Sequence, residues 1–132
     1  MAVIATEQTR LSNVLKAELF PEMAYCREVV TVNEGAAVDY VPGTVVGKVT
    51  TGGKYKVAVE TATDGSKVFA GVVLEAKAIA ATTDTKVLIL KRGPASVSKG
   101  ALVIDATYDN ATKLGVVYTA METAGIQLLE TV

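Results

Sequence analysis

The chain has 132 residues, 13 basic and 14 acidic side chains, a formal net charge of −1 and an apolar fraction of 50%. This length fits one domain with a core of its own. The near balance of charge gives no electrostatic reason to expect a nucleic-acid partner. The sequence contains no histidine, which removes the commonest general base and metal ligand, and the single Cys26 permits neither an intrachain disulfide nor a thiolate metal cluster. We therefore expect no cofactor, no metal and no small-molecule substrate.

The apolar residues are of a restricted kind. There are five Tyr, two Phe and no Trp, so the core must be built mainly from Val, Ile, Leu and Ala. No apolar run approaches the roughly 18 residues of a membrane span. The N-terminus carries acidic Glu7 and lacks a basic segment before an apolar one, so it does not resemble a signal peptide. These observations predict a soluble protein made inside the cell, with no membrane partner.

Residues 1–24 differ from the rest of the chain. Their apolar side chains recur at spacings of three and four, Ser12 and Asn13 are able to cap, and Phe20-Pro21 ends the pattern, which favours one or two turns of amphipathic helix. One interpretation is a helix that packs on its own domain. The other is an arm that becomes ordered against another chain. The apolar positions are Leu11, Val14, Leu15 and Leu19.

Several runs of β-branched residues predict strands. Residues 27–32 (REVVTV) form one, and the stretch 41–74 contains three more, at residues 44–50, 55–60 and 68–74. Gly52-Gly53 and Asp64-Gly65 separate these three runs and accept the positive φ angles of tight turns, so we expect a meander.

The second half of the chain combines strands with one helix. Residues 77–85 are predicted to be a connection, whereas residues 86–91 form a buried strand, followed by a short extended piece at residues 95–98. A three-four apolar rhythm over residues 109–124, with Asp109 as N-cap and Gly125 beyond the end, predicts a helix, and residues 126–130 close as a strand. We expect a mainly β, barrel-like fold with one C-terminal helix over an opening.

The sequence offers few groups for chemistry. Ser66 has no histidine to activate it, and the glycines around Gly47 lack the spacing of a phosphate-binding loop. Lys86, Lys91 and Arg92 form either a small basic patch or the usual protection of a strand edge. Cys26 beside Arg27 is either an activated thiolate or a buried structural thiol. The residues alone therefore favour a structural or binding role over catalysis.

Several short sequence motifs, which follow one another in a fixed order, resemble those of a known protein family. Tyr25 to Glu28 (YCRE) is followed by PGTVVGKVT, GGKY, DGS, FAGVVL, KRGPASV and the terminal AGIQLLE. Together they make residues 25–130 similar to the head decoration proteins of tailed bacteriophages, the family of the lambda capsid-stabilising protein. This resemblance implies a non-enzymatic homotrimer with a β-tulip-like fold, bound outside the expanded phage head and made in the cytoplasm of the host bacterium. It also implies that trimers at threefold and quasi-threefold positions cement neighbouring major capsid proteins against internal DNA pressure.

The resemblance also implies that two parts of the chain have different roles. Residues 1–24 would be an extended or partly helical capsid-binding arm, and residues 25–132 the β-rich decoration domain. The arm of the family lies against the capsid and adds to its β-structure, so the following strand is also a candidate contact. The candidate capsid-binding residues are Leu11, Val14, Leu15, Leu19, Phe20, Arg27, Val29 and Thr31. Exposed apolar residues in loops at 38–41 and 76–81 are candidates for trimer contacts.

Two other functions are also compatible with the sequence. A tail-tube or fibre-base protein of a phage would share the β-rich composition and the lack of catalytic groups. Residues 97–103 (VSKGALV) have a weak similarity to the lysine hairpin of biotinyl and lipoyl carrier domains, although the methionines that flank the lysine in biotinyl carriers are missing.

Overall fold

A computed structural model of the protein describes residues 14–18 and 26–130. Within these residues the chain forms ten strands, a short 3-10 helix at Lys99–Ala101 and an α-helix, α1, at Ala111–Thr123. The strands are β1 (Leu15–Glu18), β2 (Arg27–Val32), β3 (Val38–Tyr40), β4 (Val45–Lys48), β5 (Tyr55–Val57), β6 (Phe69–Val73), β7 (Lys77–Ile79), β8 (Thr85–Leu90), β9 (Ala95–Ser98) and β10 (Ile126–Leu129). The mainly β fold with one C-terminal helix is confirmed.

Five strands close into a barrel in the order β2-β5-β4-β6-β8. The longest pairing is the antiparallel one between β2 and β8, which runs from Arg27 opposite Leu90 to Val32 opposite Thr85. Because side chains alternate between the two faces of a strand, every second residue points into the barrel. The interior is a cluster of buried residues consisting of Val30, Val32, Tyr40, Val46, Tyr55, Val73, Ile79, Val87 and Ile89.

A second core lies outside the barrel wall. Strands β1, β9 and β10 form a separate sheet in the order β1-β9-β10, with β9 parallel to β10 and antiparallel to β1. This sheet and α1 contribute to a buried cluster with outward-facing barrel residues. The members are Val14, Cys26, Val45, Ala58, Phe69, Val72, Leu74, Leu90, Ala95, Val97, Tyr108, Val117, Met121 and Ile126. Inward-facing side chains of the barrel strands thus belong to one core, and outward-facing side chains of the same strands belong to the other.

The prediction of a helix across residues 11–19 is wrong for residues 15–18, which form strand β1, whereas Val14 is helical. Its partner is β9, with Leu15 opposite Val97 and Glu18 opposite Ala95. Such a short helix would have been marginal alone, whereas pairing with β9 satisfies backbone groups and places Val14 in the outer core. Residues 15–18 therefore pack on their own domain, but as a strand and not as a helix.

The predicted meander is also wrong, because the three strands do not pair in the order of the sequence. Strand β4 lies between β5 and β6, so the first of the three runs occupies the centre. Gly47 permits this arrangement, because a Cβ atom there would lie 1.9 Å from the carbonyl oxygen of Ser66 in the loop before β6. A bulge between Val46 and Gly47 accompanies the close approach.

Two segments predicted as loops are strands. Residues 77–79 form β7, which pairs antiparallel with β3, so that Val38 faces Ile79 and Tyr40 faces Lys77. Tyr40 and Ile79 are buried in the barrel core and not exposed, contrary to the expectation for loop residues at 38–41 and 76–81.

The N-cap of α1 is Asn110 and not Asp109, since the Asn110 Oδ1 accepts a hydrogen bond from the Lys113 backbone N–H at 2.9 Å. Asp109 instead lies 3.3 Å from the Lys113 ammonium group.

Candidate functional site

The N-terminal candidate residues lie in two different environments. Val14 is fully buried, and Leu15 is partly buried against the outer core, so both side chains help to hold β1 on the body. Leu11, Leu19 and Phe20 lie outside the described residues. The part of the predicted arm that the structure describes is therefore its point of attachment.

Strand β1 lies at the edge of its sheet. Among the residues that the structure describes, its strand partner is β9 on one side, and no strand pairs with its other side. An edge strand presents backbone N–H and C=O groups to which a further strand can add. This geometry is suited to strand addition by another protein chain.

The β2 candidates share one face. Arg27, Val29 and Thr31 alternate with the buried Val30 and Val32, so the three side chains point out of the barrel. Val29 is 60% exposed, which is unusual for a large apolar residue at the centre of a six-residue strand. This face is available for contact with another molecule.

Strand β8 extends this outer face. Leu88 is directly opposite Val29 and is half-buried, and Lys86 is opposite Thr31, with its Nζ 2.6 Å from the Thr31 Oγ1. Leu88 was not among the predicted residues, because a continuous apolar run does not reveal which residues point outward. The antiparallel register with β2 identifies it.

The structure does not bring the two groups of candidates into one sheet. β1 belongs to the three-stranded sheet, and β2 belongs to the barrel, with β5 and β8 as its neighbours. A partner that touches both groups would have to contact two separate elements of the protein.

The basic residues near this face are partly neutralised. The Lys91 Nζ lies 2.9 Å from a carboxylate oxygen of Glu28, and this hydrogen bond lowers the pKa of Glu28 and raises the pKa of Lys91. Lys54 pairs with Asp84 at 2.9 Å. A hydrogen bond from Asn33, followed by the one from Lys54, lowers the pKa of Asp84. Such exposed pairs contribute little stability. Of the three residues considered as a basic patch, Lys91 is thus ion-paired with Glu28, while the Lys86 ammonium group contacts the uncharged Thr31 hydroxyl.

The groups considered for chemistry have structural partners. The Ser66 hydroxyl donates to the Asp64 carboxylate at 2.6 Å, and the Ser66 N–H donates to it at 3.1 Å. These hydrogen bonds lower the pKa of Asp64 to about 2, as expected for an Asx turn. Cys26 is buried, and its thiol lies 3.4 Å from the Pro94 carbonyl oxygen. Within residues 14–18 and 26–130, no group of three or more His, Cys, Asp or Glu side chains could hold a metal ion.

The part of the chain that the structure describes contains no helix with the length and apolar character needed to cross a membrane.

The comparison of the sequence with protein families identifies one family. The sequence profile of the bacteriophage lambda head decoration protein D family matches residues 4–120. The chain belongs to this family of phage head decoration proteins. The match begins at residue 4 and thus includes most of the predicted arm, beyond the stretch over which the sequence motifs showed a resemblance. A search of curated proteins finds no match. Membership places the protein among structural components of the phage capsid.

Proposed function

We propose that the protein binds the outside of the expanded phage head as homotrimers and cements neighbouring major capsid proteins without catalysing a reaction. The observation that carries this proposal is the family match over residues 4–120, which covers both arm and body. The trimers would occupy threefold and quasi-threefold positions. The bound state would oppose the pressure of the packaged DNA.

The geometry supports a rigid body with an attached arm. Two buried cores share the barrel wall, and the described residues have no buried side-chain nitrogen or oxygen atom without a hydrogen-bond partner. Such a body loses little conformational entropy on binding. The arm is tied to it by the buried Val14 and by the pairing of β1 with β9.

The arm is proposed to bind by strand addition. Residues 1–13 precede the attachment point at Val14, and Leu11 is the apolar candidate among them. Among the described residues no strand pairs with the second side of β1, so the capsid protein would contribute backbone hydrogen bonds there. Leu19 and Phe20, beyond the other end of β1, and the outer face of β2 at Arg27, Val29 and Thr31 would add side-chain contacts.

The energetics favour a trimer over a single subunit. Three weak arms on one particle act at high effective concentration, so the assembled clamp dissociates slowly without one large interface. A ligand that binds the expanded shell and not the precursor stabilises the expanded state by mass action. Cementing therefore needs no covalent bond.

The experiment is sedimentation of the purified protein with expanded, undecorated heads and with unexpanded precursor shells of the cognate phage. The proposal expects saturable binding to expanded heads alone, at about one trimer per threefold position. Binding to purified tails and not to heads would contradict it and would favour a tail-tube or fibre-base protein. An intact mass equal to the sequence mass would exclude a biotinyl or lipoyl group on Lys99.

A further inference from the structure

One end of the barrel is lined by charged side chains. Strands β2, β5 and β6 begin at this end, whereas β4 and β8 finish there. Three charged residues at this end lie two positions from a residue of the barrel core, so alternation places their side chains at the mouth of the barrel. They are Glu28 on β2, Lys48 on β4 and Lys91, which follows β8. The buried Tyr55, directly opposite Lys48, lines the mouth together with them.

Positive charge predominates at this mouth. The hydrogen bond from Lys91 is the main cause of the lowered pKa of Glu28, and the charges of Lys91, Arg92 and Lys48 lower that pKa further. Three cations thus act on one carboxylate, which leaves an excess of two positive charges in a chain whose formal net charge is −1. A local excess of one sign in a cleft attracts ligands of the opposite sign. The mouth of the barrel is therefore suited to an anionic ligand.

Lys48 is a cation of the mouth that has no carboxylate partner. Among the described residues it forms no ion pair, and its ammonium group lies 5.9 Å from the centre of the Tyr55 ring. The neighbouring Lys54, by contrast, is paired with Asp84 at 2.9 Å. A Cβ atom built on Gly53 would lie 3.4 Å from the Lys48 Cε, so the turn between β4 and β5 packs against the Lys48 side chain. A ligand carboxylate would bind Lys48 without breaking an existing ion pair.

An apolar depression adjoins the charged mouth. It shares Lys48, Tyr55 and Lys91 with the mouth and extends to Val68 before β6 and to Ala120 on α1. Its volume of about 470 Å³ is usual for a ligand pocket, and Val68 is 57% exposed. A free inorganic anion is strongly hydrated and gains nothing from apolar surface, whereas an acidic side chain in a peptide brings neighbouring residues that can be apolar. The two adjoining depressions together favour a protein segment over a free anion.

We propose that the mouth of the barrel binds an acidic side chain of another protein chain, with Lys48 and Lys91 as the cations that receive its carboxylate. The depression toward Val68 receives the apolar neighbour of that side chain. A lysine ammonium group has three N–H donors, so Lys91 can bind a second carboxylate while it donates to Glu28. This site goes beyond the proposed function, because it assigns a class of ligand to a surface that is separate from the proposed capsid contacts on β1 and the outer face of β2.

The test is a titration of the ¹⁵N-labelled full-length protein, observed by two-dimensional NMR. The probe is a short synthetic peptide in which Glu alternates with Leu, and its control is the same peptide with Gln in place of Glu. We expect saturable shifts of the backbone amide signals of Lys48, Gly53 and Lys91 with the acidic peptide alone. The affinity should fall as the salt concentration rises, because the contact is between charges.

Matched variants separate the mouth from general charge attraction. K48Q should bind the acidic peptide about tenfold more weakly, as for the loss of a hydrogen bond between charged groups, whereas K48R should retain most of the affinity. Lys67 is likewise exposed and without an ion pair among the described residues, and it lines neither depression. K67Q removes the same charge and should bind like the wild type. The melting temperature of each variant checks that it is folded.

Four results would overturn the inference. They are the absence of saturable shifts with the acidic peptide, equal shifts with the Gln peptide, unchanged affinity in K48Q, and an equal loss of affinity in K48Q and K67Q. Inorganic phosphate that binds the mouth as tightly as the acidic peptide would also overturn it, since the site would then take a free anion. None of these results depends on binding to expanded heads, which the sedimentation assay measures separately for the proposed function.

Discussion

The Tyr40 hydroxyl donates a hydrogen bond to the Glu34 carboxylate inside the barrel core. Glu34 is 7% exposed, and the same oxygen accepts from the Val57 backbone N–H at 2.8 Å. One buried carboxylate thus connects the segment after β2 with β3 and β5. Because an unpaired group in a core is costly, this connection depends on all three partners.

Replacing Glu34 by Ala should destabilise the protein by about 3 kcal/mol, because it leaves the Tyr40 hydroxyl and the Val57 N–H without their acceptor. The control Y40F removes one hydroxyl and should cost about 1 kcal/mol. Urea unfolding of both variants checks the order. An E34A variant as stable as the wild type would contradict this role for Glu34.

The same contact predicts sensitivity to alkali. Burial, and then the hydrogen bond to Glu34, raises the pKa of Tyr40 above its ordinary value. A raised folded pKa gives stability that is present below the unfolded pKa of about 10 and is lost as the pH rises above it. The free energy of unfolding should therefore fall above about pH 10, and less steeply in Y40F. Identical alkaline slopes for the two proteins would contradict the prediction.

The two glycines at positions 47 and 115 should respond oppositely to alanine. A Cβ atom at Gly47 meets the Ser66 backbone at 1.9 Å, whereas one at Gly115 in α1 meets nothing within 4 Å. We expect G47A to destabilise by about 1–3 kcal/mol through overpacking. G115A should stabilise by about 1 kcal/mol, because alanine favours a helix over glycine. Melting temperatures that shift in the same direction would contradict the close packing at Gly47.

The outer face of β2 supplies a prediction about binding. V29D places a charge on a side chain that is 60% exposed, so folding should be little affected, while capsid binding should weaken if this face meets the shell. The expected loss is about tenfold, with V116D as the control of matched exposure. Unchanged affinity of V29D in sedimentation would remove β2 from the proposed interface.

Runs of β-branched residues and the positions of glycines correctly predicted several strands and turns. The β-branched runs located β2, β4, β6 and β8, and the turn glycines Gly52, Gly53 and Gly65 do have positive φ angles. Gly125 likewise has a φ of 90° beyond the end of α1.

The errors arose where partners distant in sequence decide the structure. Strands β3 and β7 have three residues each and depend on one another, so neither has a clear pattern alone. The spacing of Leu11, Val14 and Leu15 fits a helix, but Leu15–Glu18 pairs with β9 and forms a strand. The order of β4, β5 and β6 depends on the contact between Gly47 and Ser66, which local periodicity does not encode.

The candidate site was predictable only in part. The strand at residues 27–32 was predicted, and its alternating burial in the structure shows that Arg27, Val29 and Thr31 share its outer face. The outward position of Leu88 was not predictable, because it lies in a continuous apolar run and only the register with β2 places it opposite Val29.

The most direct test of the proposed capsid-binding role is deletion of residues 2–13, which removes the part of the arm before Val14 and leaves Val14, β1 and both cores intact. The measurement is occupancy of expanded heads by sedimentation, with the full-length protein as control and with melting temperature and trimer mass determined for both. We expect the shortened protein to remain a folded trimer and to decorate heads much more weakly, because the edge of β1 and the outer face of β2 are the contacts that remain. Full occupancy by the shortened protein would contradict it.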